Sequence, residues 1–463
     1  MPPPSPIPGM DLAHLLTQPE GKTLEFKRDL SSPEKVLRAL IAFANTAGGI
    51  LIIGVEDGTK NVLGVSDPLK EEERLANLVS DRILPRLVPA IEIVTWRSLQ
   101  VIVVEVYPSP NQPHYLKSLG LGAGAFVRVG STNRCADAAL VEEMRRMVRN
   151  ETYDESPLPR IDSEAVDLRV ASELFRSVRP LDRAGLQALR ALVPHQRRLV
   201  PTVGGLLLFG KSPQDEFPDA WIQCGRFVGS EKSRLADSIE CRGVLPNSLV
   251  SAYAFIEKHA MRSTKVEGLK SSESSNIPLR AARELLVNAV VHADYSQRGA
   301  PIRVAIFDER IEIESPGMLL SGLTVADIRH GVSRLRNRVI GRVFKELSYI
   351  EQWGSGIQRA ASDCRELGLP EPQFEEFAFR FRATISLVKD RAPQMSPPLL
   401  AIRSALLDPK AKEGLSSQQI ADQIGIATRT VRTHMAKLAG QGLVRAIGKN
   451  ARDPGRRYLW ISR

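Results

Sequence analysis

Apolar side chains recur at Val36, Leu37, Leu40, Ile41 and Phe43, the spacing of a helix over residues 33–46 packed along one side. Ser32, Pro33 and Glu34 make a suitable start, with proline at the first helical position. Ala47, Gly48 and Gly49 end it, since glycine tolerates the left-handed backbone that closes a helix. Apolar runs at residues 50–55, 101–107 and 126–129 predict strands, and their alternation with helices predicts an α+β or α/β sandwich. Further along, residues 278–295 predict a helix, and residues 302–307 and 310–314 predict strands.

A tighter pattern follows residue 399. Ser416 and Gln419 are spaced as a capping box ahead of Q-Q-I-A-D-Q-I, Gly425 makes a turn, and Thr428 is placed to cap T-R-T-V-R-T-H-M-A-K-L. Val431, Met435 and Leu438 share one face of that second helix and meet Ile420, Ala421 and Ile424 of the first. Residues 443–447 and 457–461 predict two strands joined by the basic G-K-N-A-R-D-P-G-R.

At 463 residues the chain exceeds one core, and about three domains are expected. Its 43% apolar and 25% charged residues are those of an ordinary soluble protein and not of a disordered or membrane chain. No apolar run approaches the roughly 20 residues that span a bilayer, so no membrane partner is expected. The opening M-P-P-P-S-P-I-P-G-M has neither the basic nor the apolar region of a signal peptide and reads as a flexible lead-in, residues 1–18. Cys135, Cys224, Cys241 and Cys364 lack C-x-x-C spacing, which argues against structural zinc and a disulfide framework and fits a reducing cytoplasm.

The net charge of +10 is unevenly placed: residues 395–463 hold 12 Lys or Arg against 4 Asp or Glu. Such a concentration is the electrostatic footprint of a nucleic-acid-binding module. Proline-bearing breaks at residues 153–159 and 390–398 divide the chain into domains at 19–150, 160–390 and 399–463.

The runs E-G-K-T-L-E-F-K-R, A-F-A-N-T-A-G-G and I-L-I-I-G-V-E-D-G, followed by G-A-F-V-R-V-G-S-T-N-R, resemble the Schlafen-AlbA-like domain of DNA-binding regulators and Schlafen nucleases. The resemblance implies an α/β sandwich in which Glu20, Glu25 and Asp57 match the acids that hold divalent metal for cleavage. Three hard oxygen ligands at one point would suit magnesium or manganese. Alternatively Glu25 pairs with Lys27 or Arg134, and Lys27, Arg28, Arg128 and Arg134 serve as contacts to nucleic acid.

In the middle region V-G-G-L-L-L-F-G-K, P-L-R-A-A-R-E-L-L-V-N-A-V-V-H-A-D-Y and E-Q-W-G-S-G-I resemble the C-terminal domain of RecG-like regulators, a divergent relative of the GHKL ATPase α/β fold. Glu284, Asn288 and His292 recur every four residues and share a helix face. The likeness implies ATP and magnesium, with Asn288 holding the metal, Glu284 orienting an attacking water, and His292, Gly354, Ser355 and Gly356 at the nucleotide. Three departures stand out. Ser315, Pro316 and Gly317 replace a D-x-G-x-G loop, Ala293 replaces an arginine, and R-N-P reads Arg336, Asn337, Arg338.

Taken with its pattern, the last segment resembles a winged helix-turn-helix. Arg429, Thr430, Arg432, Thr433 and Lys437 would face a major groove, with Lys449, Arg452, Arg456 and Arg457 on the wing against phosphates. The whole is an α+β multidomain chain that resembles transcriptional regulators binding double-stranded DNA as homo-oligomers, a dimer being expected, with nucleotide as modulator. The alternative is a metal-dependent nuclease acting on RNA or single-stranded DNA through Glu20, Glu25 and Asp57.

Overall fold

Helix Pro33–Ala44 forms as its spacing predicts and buries Val36, Leu37, Leu40, Ile41 and Phe43. The computed structural model that shows this describes residues 12–260, 262–267, 270–275, 277–350, 354–388, 397–408, 411, 414–440, 443–447 and 456–460. Strand Gly49–Ile53 follows after Gly48 turns the chain at φ +76°. A side chain at Gly49 would lie 2.6 Å from the Phe43 ring, so helix and strand meet this closely only through glycine. The sheet runs Leu24–Lys27, Gly49–Ile53, Leu99–Val106, Ala90–Trp96; its first pair is parallel and the others antiparallel. Helices Pro33–Ala44 and Pro68–Arg82 cover one face. On the other, Leu12, Phe26, Ile52, Val101 and Val103 form a second core.

The lead-in expected over residues 1–18 is in part folded: Leu12–Thr17 is a helix, because Leu12 completes that second core. Residues 1–11 lie outside the described residues.

The middle domain is built on a six-stranded sheet ordered Leu235–Cys241, Ile222–Phe227, Ile302–Ile306, Arg310–Pro316, Arg380–Ser386, Gln373–Phe377. Only Ile222–Phe227 and Ile302–Ile306 pair in parallel. Helices Leu245–Lys258, Leu279–His292 and Gly356–Glu366 pack over it through one large apolar core.

The break expected at residues 153–159 is not a loose linker. Tyr153–Glu155 is a single 3₁₀ turn that buries Asp154 completely. Its carboxylate accepts from the backbone N–H of Arg338 at 3.0 Å, Val339 at 2.7 Å and Ile340 at 2.9 Å, the first turn of helix Arg338–Glu346. Asn337, which would ordinarily cap that helix, instead donates to Val291 O and Ala293 O. A residue far away in sequence thus satisfies the orphan donors of a helix start.

First and middle domains meet along further contacts and belong to one compact unit, Met1–Lys389. Met318 packs with Ala125, Val127, Val141 and Met144. Thr46 O accepts from Gly322 N at 2.8 Å and Ser321 Oγ at 2.7 Å. Glu376 takes Lys22 Nζ at 2.5 Å with one oxygen and Leu319 N at 2.7 Å with the other.

The second unit, Asp390–Arg463, is described by itself. Pro397–Leu407 is a helix, where the expected break reached residue 398; residues 390–396 lie outside the described residues. Helices Ser417–Ile424 and Thr428–Gly440 follow, with Gly425 in the left-handed conformation at φ +70°. Strands Val444–Ile447 and Arg457–Trp460 pair as expected, and a short strand Leu415–Ser416 joins their sheet. Val431, Met435 and Leu438 are buried against Ile402, Leu406, Ile420 and Ala421. Among the described residues no helix is long and apolar enough to cross a membrane.

Asp154→Ala would leave three N–H groups, two of them buried, without an acceptor. We expect a loss of roughly 2–4 kcal/mol in denaturant unfolding; a variant as stable as wild type would show that the helix start is satisfied otherwise.

Candidate nucleotide pocket and nucleic-acid interface

Strand Leu24–Lys27 carries Glu25 inward to meet Arg128 of strand Phe126–Val129. The Arg128 side chain is fully buried. It donates to the Glu25 carboxylate, to Gly21 O at 3.0 Å, Leu24 O at 3.2 Å and Asn133 Oδ1 at 2.9 Å, and lies 5.1 Å from the centre of the Phe43 ring. Lys27 Nζ takes the other Glu25 oxygen at 2.5 Å, and Arg128 N donates to Thr46 Oγ1 at 3.0 Å. Three separate sequence motifs are therefore parts of one buried network.

That network corrects two expectations. The acidic trio does not form a ready metal site: Glu25 is neutralised internally, Glu20 Oε1 accepts from Phe26 N at 2.7 Å, and Asp57 is exposed on the turn after Gly49–Ile53. Among the described residues no three His, Cys, Asp or Glu side chains are grouped to hold a metal ion. Arg128, expected at phosphate, faces the core instead, since a buried carboxylate needs a cation. Lys27 is half-buried on Glu25, whereas Arg28 and Arg134 are exposed. His114 is buried between Pro85 O at 2.8 Å and Ser109 Oγ at 2.7 Å, and burial lowers its pKa.

In the middle domain, helix Leu279–His292 lines a cavity of about 150 Å³ with Glu284, Asn288 and His292, opposite Ile313, Phe374 and Phe381. Gly354 and Gly356 also border it, while Ser355 does not; its hydroxyl accepts from Arg359 Nη1 at 3.0 Å. Packing demands both glycines: Gly354 sits at φ +65° against Gly331 O, and a side chain at Gly356 would meet Glu284 Oε2 at 2.8 Å. Glu284 is engaged by Arg283 and Arg359, each at 3.1 Å. The Asn288 amide has no hydrogen-bond partner among the described residues, so its oxygen is available to a magnesium ion or a ligand. Burial, reinforced by nearby Arg336, lowers His292 to about 4, so it is neutral at pH 7 and offers a hydrogen bond rather than a charge.

Residues 20–137 match the family described as "Schlafen, AlbA_2", and residues 299–385 match "Putative ATP-dependent DNA helicase recG C-terminal". The chain joins these two domains. Solved structures similar to it include the DIP2311 protein from Corynebacterium diphtheriae, at 18% identity over 95% of this chain and 92% of that one, TM-score 0.43. Another is the N-terminal domain of a putative ATP-dependent DNA helicase RecG-related protein from Nitrosomonas europaea, at 29% identity over 27% of this chain and 95% of that one, TM-score 0.23. No curated protein matches the chain.

In the terminal unit the Ser416–Gln419 capping box is formed in both directions. Thr428 opens the following helix and donates its hydroxyl to Gln418 Oε1 at 2.9 Å. Arg429, Thr430, Arg432 and Thr433 are exposed, and neither arginine pairs with a carboxylate among the described residues. Arg456 and Arg457 are half-buried, the first 5.6 Å from the Tyr458 ring centre. Lys449, Arg452 and the Lys437 side chain lie outside the described residues.

Sequence reasoning missed a charged cluster between the first two domains. Arg336 is buried 2.8 Å from Glu143 and 3.9 Å from Asp294. Only the altered R-N-P at residues 336–338 hinted at it, and nothing local marks Glu143.

Two measurements check these assignments. Arg128→Met strands the Glu25 carboxylate and should cost about 3–5 kcal/mol in denaturant unfolding, whereas a loss below 1 kcal/mol would contradict the buried pair. Burial, aided by Asp294 and opposed by Arg336, raises the Glu143 carboxyl to about 7. The folded form then holds its proton above the ordinary carboxyl value. Its contribution to stability is complete below about 4.5 and is lost as pH climbs through 7. Glu143→Gln should flatten that part of the stability profile; an unchanged slope would remove the assignment.

Proposed function

We propose that the protein is a DNA-binding regulator in which the terminal unit reads double-stranded DNA as a winged helix-turn-helix and the middle domain binds a nucleotide that modulates it. The observation that carries the reading is the exposed row Arg429, Thr430, Arg432 and Thr433 on helix Thr428–Gly440, opposite the buried Val431, Met435 and Leu438. A helix whose outer face carries two guanidiniums without a carboxylate partner among the described residues, and two hydroxyls, suits base edges and phosphates of a major groove. The two matched families, one named for a DNA helicase, point to nucleic acid as well.

Asn288 would hold magnesium through its amide oxygen, and the ion would neutralise nucleotide phosphates. Glu284 is tied to two arginines, which favours binding over turnover. A dimer on paired half-sites remains part of the proposal, since two copies amplify sequence preference. The nuclease alternative draws no support from geometry, because Glu25 is held by Lys27 and Arg128 and among the described residues no three such side chains are grouped to hold a metal ion.

Duplex binding by the full chain, measured across a salt series with and without ATP and magnesium, tests the reading. Arg429→Ala and Arg432→Ala should each weaken binding about tenfold or more and reduce the salt slope by about 1 where the lost contact is to phosphate. If wild type fails to bind duplex even at low salt, the proposal is lost.

A further inference from the structure

A cleft of about 670 Å³ opens between helix Ala138–Val148 of the first domain and helix Arg338–Glu346 of the middle domain. Its size is that of a small-molecule site, roughly 300–1,000 Å³. The segment from Ser333 to Arg336 is a wall common to this cleft and the Asn288 cavity, but no residue of helix Leu279–His292 borders the cleft. Glu284, Asn288 and His292, on which the nucleotide reading rests, therefore take no part in it.

The cleft is cationic. Arg338 and Arg342 stand four apart with Lys345 a further turn on, so helix Arg338–Glu346 presents a basic stripe backed by the buried Val339, Ile340, Val343 and Phe344. Arg338 is committed to Asn150 O at 2.8 Å and Glu155 at 3.6 Å. Arg146, Arg334, Arg342 and Lys345 have no carboxylate at ion-pair distance among the described residues. Neutral groups steady the three arginines: the Tyr153 ring at 5.1 Å from Arg146, Ser321 O at 2.9 Å from Arg334, and Leu189 O at 3.0 Å from Arg342. Donors remain on each. The carboxylates of the lining are already engaged, Glu143 and Asp294 by Arg336 and Glu151 by Arg149.

Arg336 adds an independent sign. It is 6% exposed, and its Nη1 lies 2.8 Å from Glu143, a residue that borders the cleft and not the Asn288 cavity. Its Nε finds no hydrogen-bond acceptor among the described residues. A buried guanidinium with an unmet N–H, in the wall of a cleft that holds four uncommitted cations, calls for an anion. Guanidinium forks on two facing helices match phosphate, which offers several oxygens at once. A nucleic-acid strand needs ring faces for its bases, whereas the one aromatic residue of the lining, Tyr153, already stacks with Arg146.

We propose that the junction cleft is a second ligand site, separate from the Asn288 cavity, and that it takes a small polyphosphate anion held between the two domains. The first domain supplies Arg146 and the middle domain Arg342 and Lys345, so the bound anion stabilises their junction by mass action. The site stands independently of the nucleotide reading, because its cations lie on other helices and need no magnesium.

Isothermal titration of the full chain with tripolyphosphate in magnesium-free buffer, and separately with ATP in excess magnesium, tests the proposal. Lys345→Ala, Arg342→Ala and Arg146→Ala should each weaken tripolyphosphate about tenfold or more and leave ATP within about twofold. Asn288→Ala should do the reverse. Lys345 is exposed, so its variant should keep the wild-type unfolding midpoint and serve as the folded control. Tripolyphosphate that fails to bind, or binds equally to wild type and all three cation variants, would overturn the cleft and leave the nucleotide reading standing. Loss of both ligands in the cation variants would merge the cleft with the nucleotide site and overturn its independence. Tripolyphosphate bound as expected with no ATP bound at all would uphold the cleft and sink the nucleotide reading. A single-stranded oligonucleotide that binds more tightly than tripolyphosphate, and is lost in the same variants, would replace the small anion by a strand.

Discussion

A guanidinium withdrawn from water needs a carboxylate or enough carbonyl oxygens around it, and the first domain closes only because Arg128 finds both. Its partner Glu25 stands 103 positions earlier in the chain. Removing one member leaves a buried charge, whereas replacing both by apolar side chains need not weaken the fold. The pair therefore decides which segments meet more than it adds to net stability. The same constraint recurs at Arg336 with Glu143, and at Asp154, whose carboxylate stands in for the cap that helix Arg338–Glu346 lacks. These last two tie the first domain or its exit to the middle domain.

This constraint explains what the sequence disclosed and what it concealed. Helix Pro33–Ala44, the capping box at Ser416 and the shared face of Glu284, Asn288 and His292 were legible because each depends on residues within two turns of one another. Arg128 was not. Strand Phe126–Val129 buries Phe126, Val127 and Arg128 in succession, so no alternation of faces separates a surface arginine from an internal one. Glu20, Glu25 and Asp57 could be matched to an acidic trio, yet their meeting depends on where remote segments place them. The proline-bearing stretch at 153–159 has the composition of a linker, and only the distant helix start that Asp154 satisfies makes it part of the core.

The middle site shows how packing can divide one motif between two roles. Glu284 and Asn288 lie one turn apart on the same helix face, but Glu284 meets Arg283, Arg359 and the close approach of Gly356, while the Asn288 amide is left to the cavity. A carboxylate held by two guanidiniums has its oxygens occupied and is poorly placed to orient a water. An amide without a partner among the described residues retains its capacity to bind. The geometry accordingly favours a domain that senses a ligand over one that consumes it.

Sensing requires that occupancy be felt elsewhere, and the wall of the cavity would supply the route. Met318, Leu319 and Leu320 border the cavity, and the same segment is held by the first domain through Thr46, Glu376 with Lys22, and the apolar contacts of Met318. A ligand that moves this wall must strain or release those bonds, and by reciprocity any partner that reorders the Thr46 turn must alter affinity at Asn288. Thr46 is also the acceptor for Arg128 N, so the turn is fixed on one side by the buried ion-pair network and on the other by the cavity wall. A rigid anchor on one side directs displacement to the other, which is why the segment around residues 318–322, and not the sheet beneath it, is the element through which the two domains would answer each other.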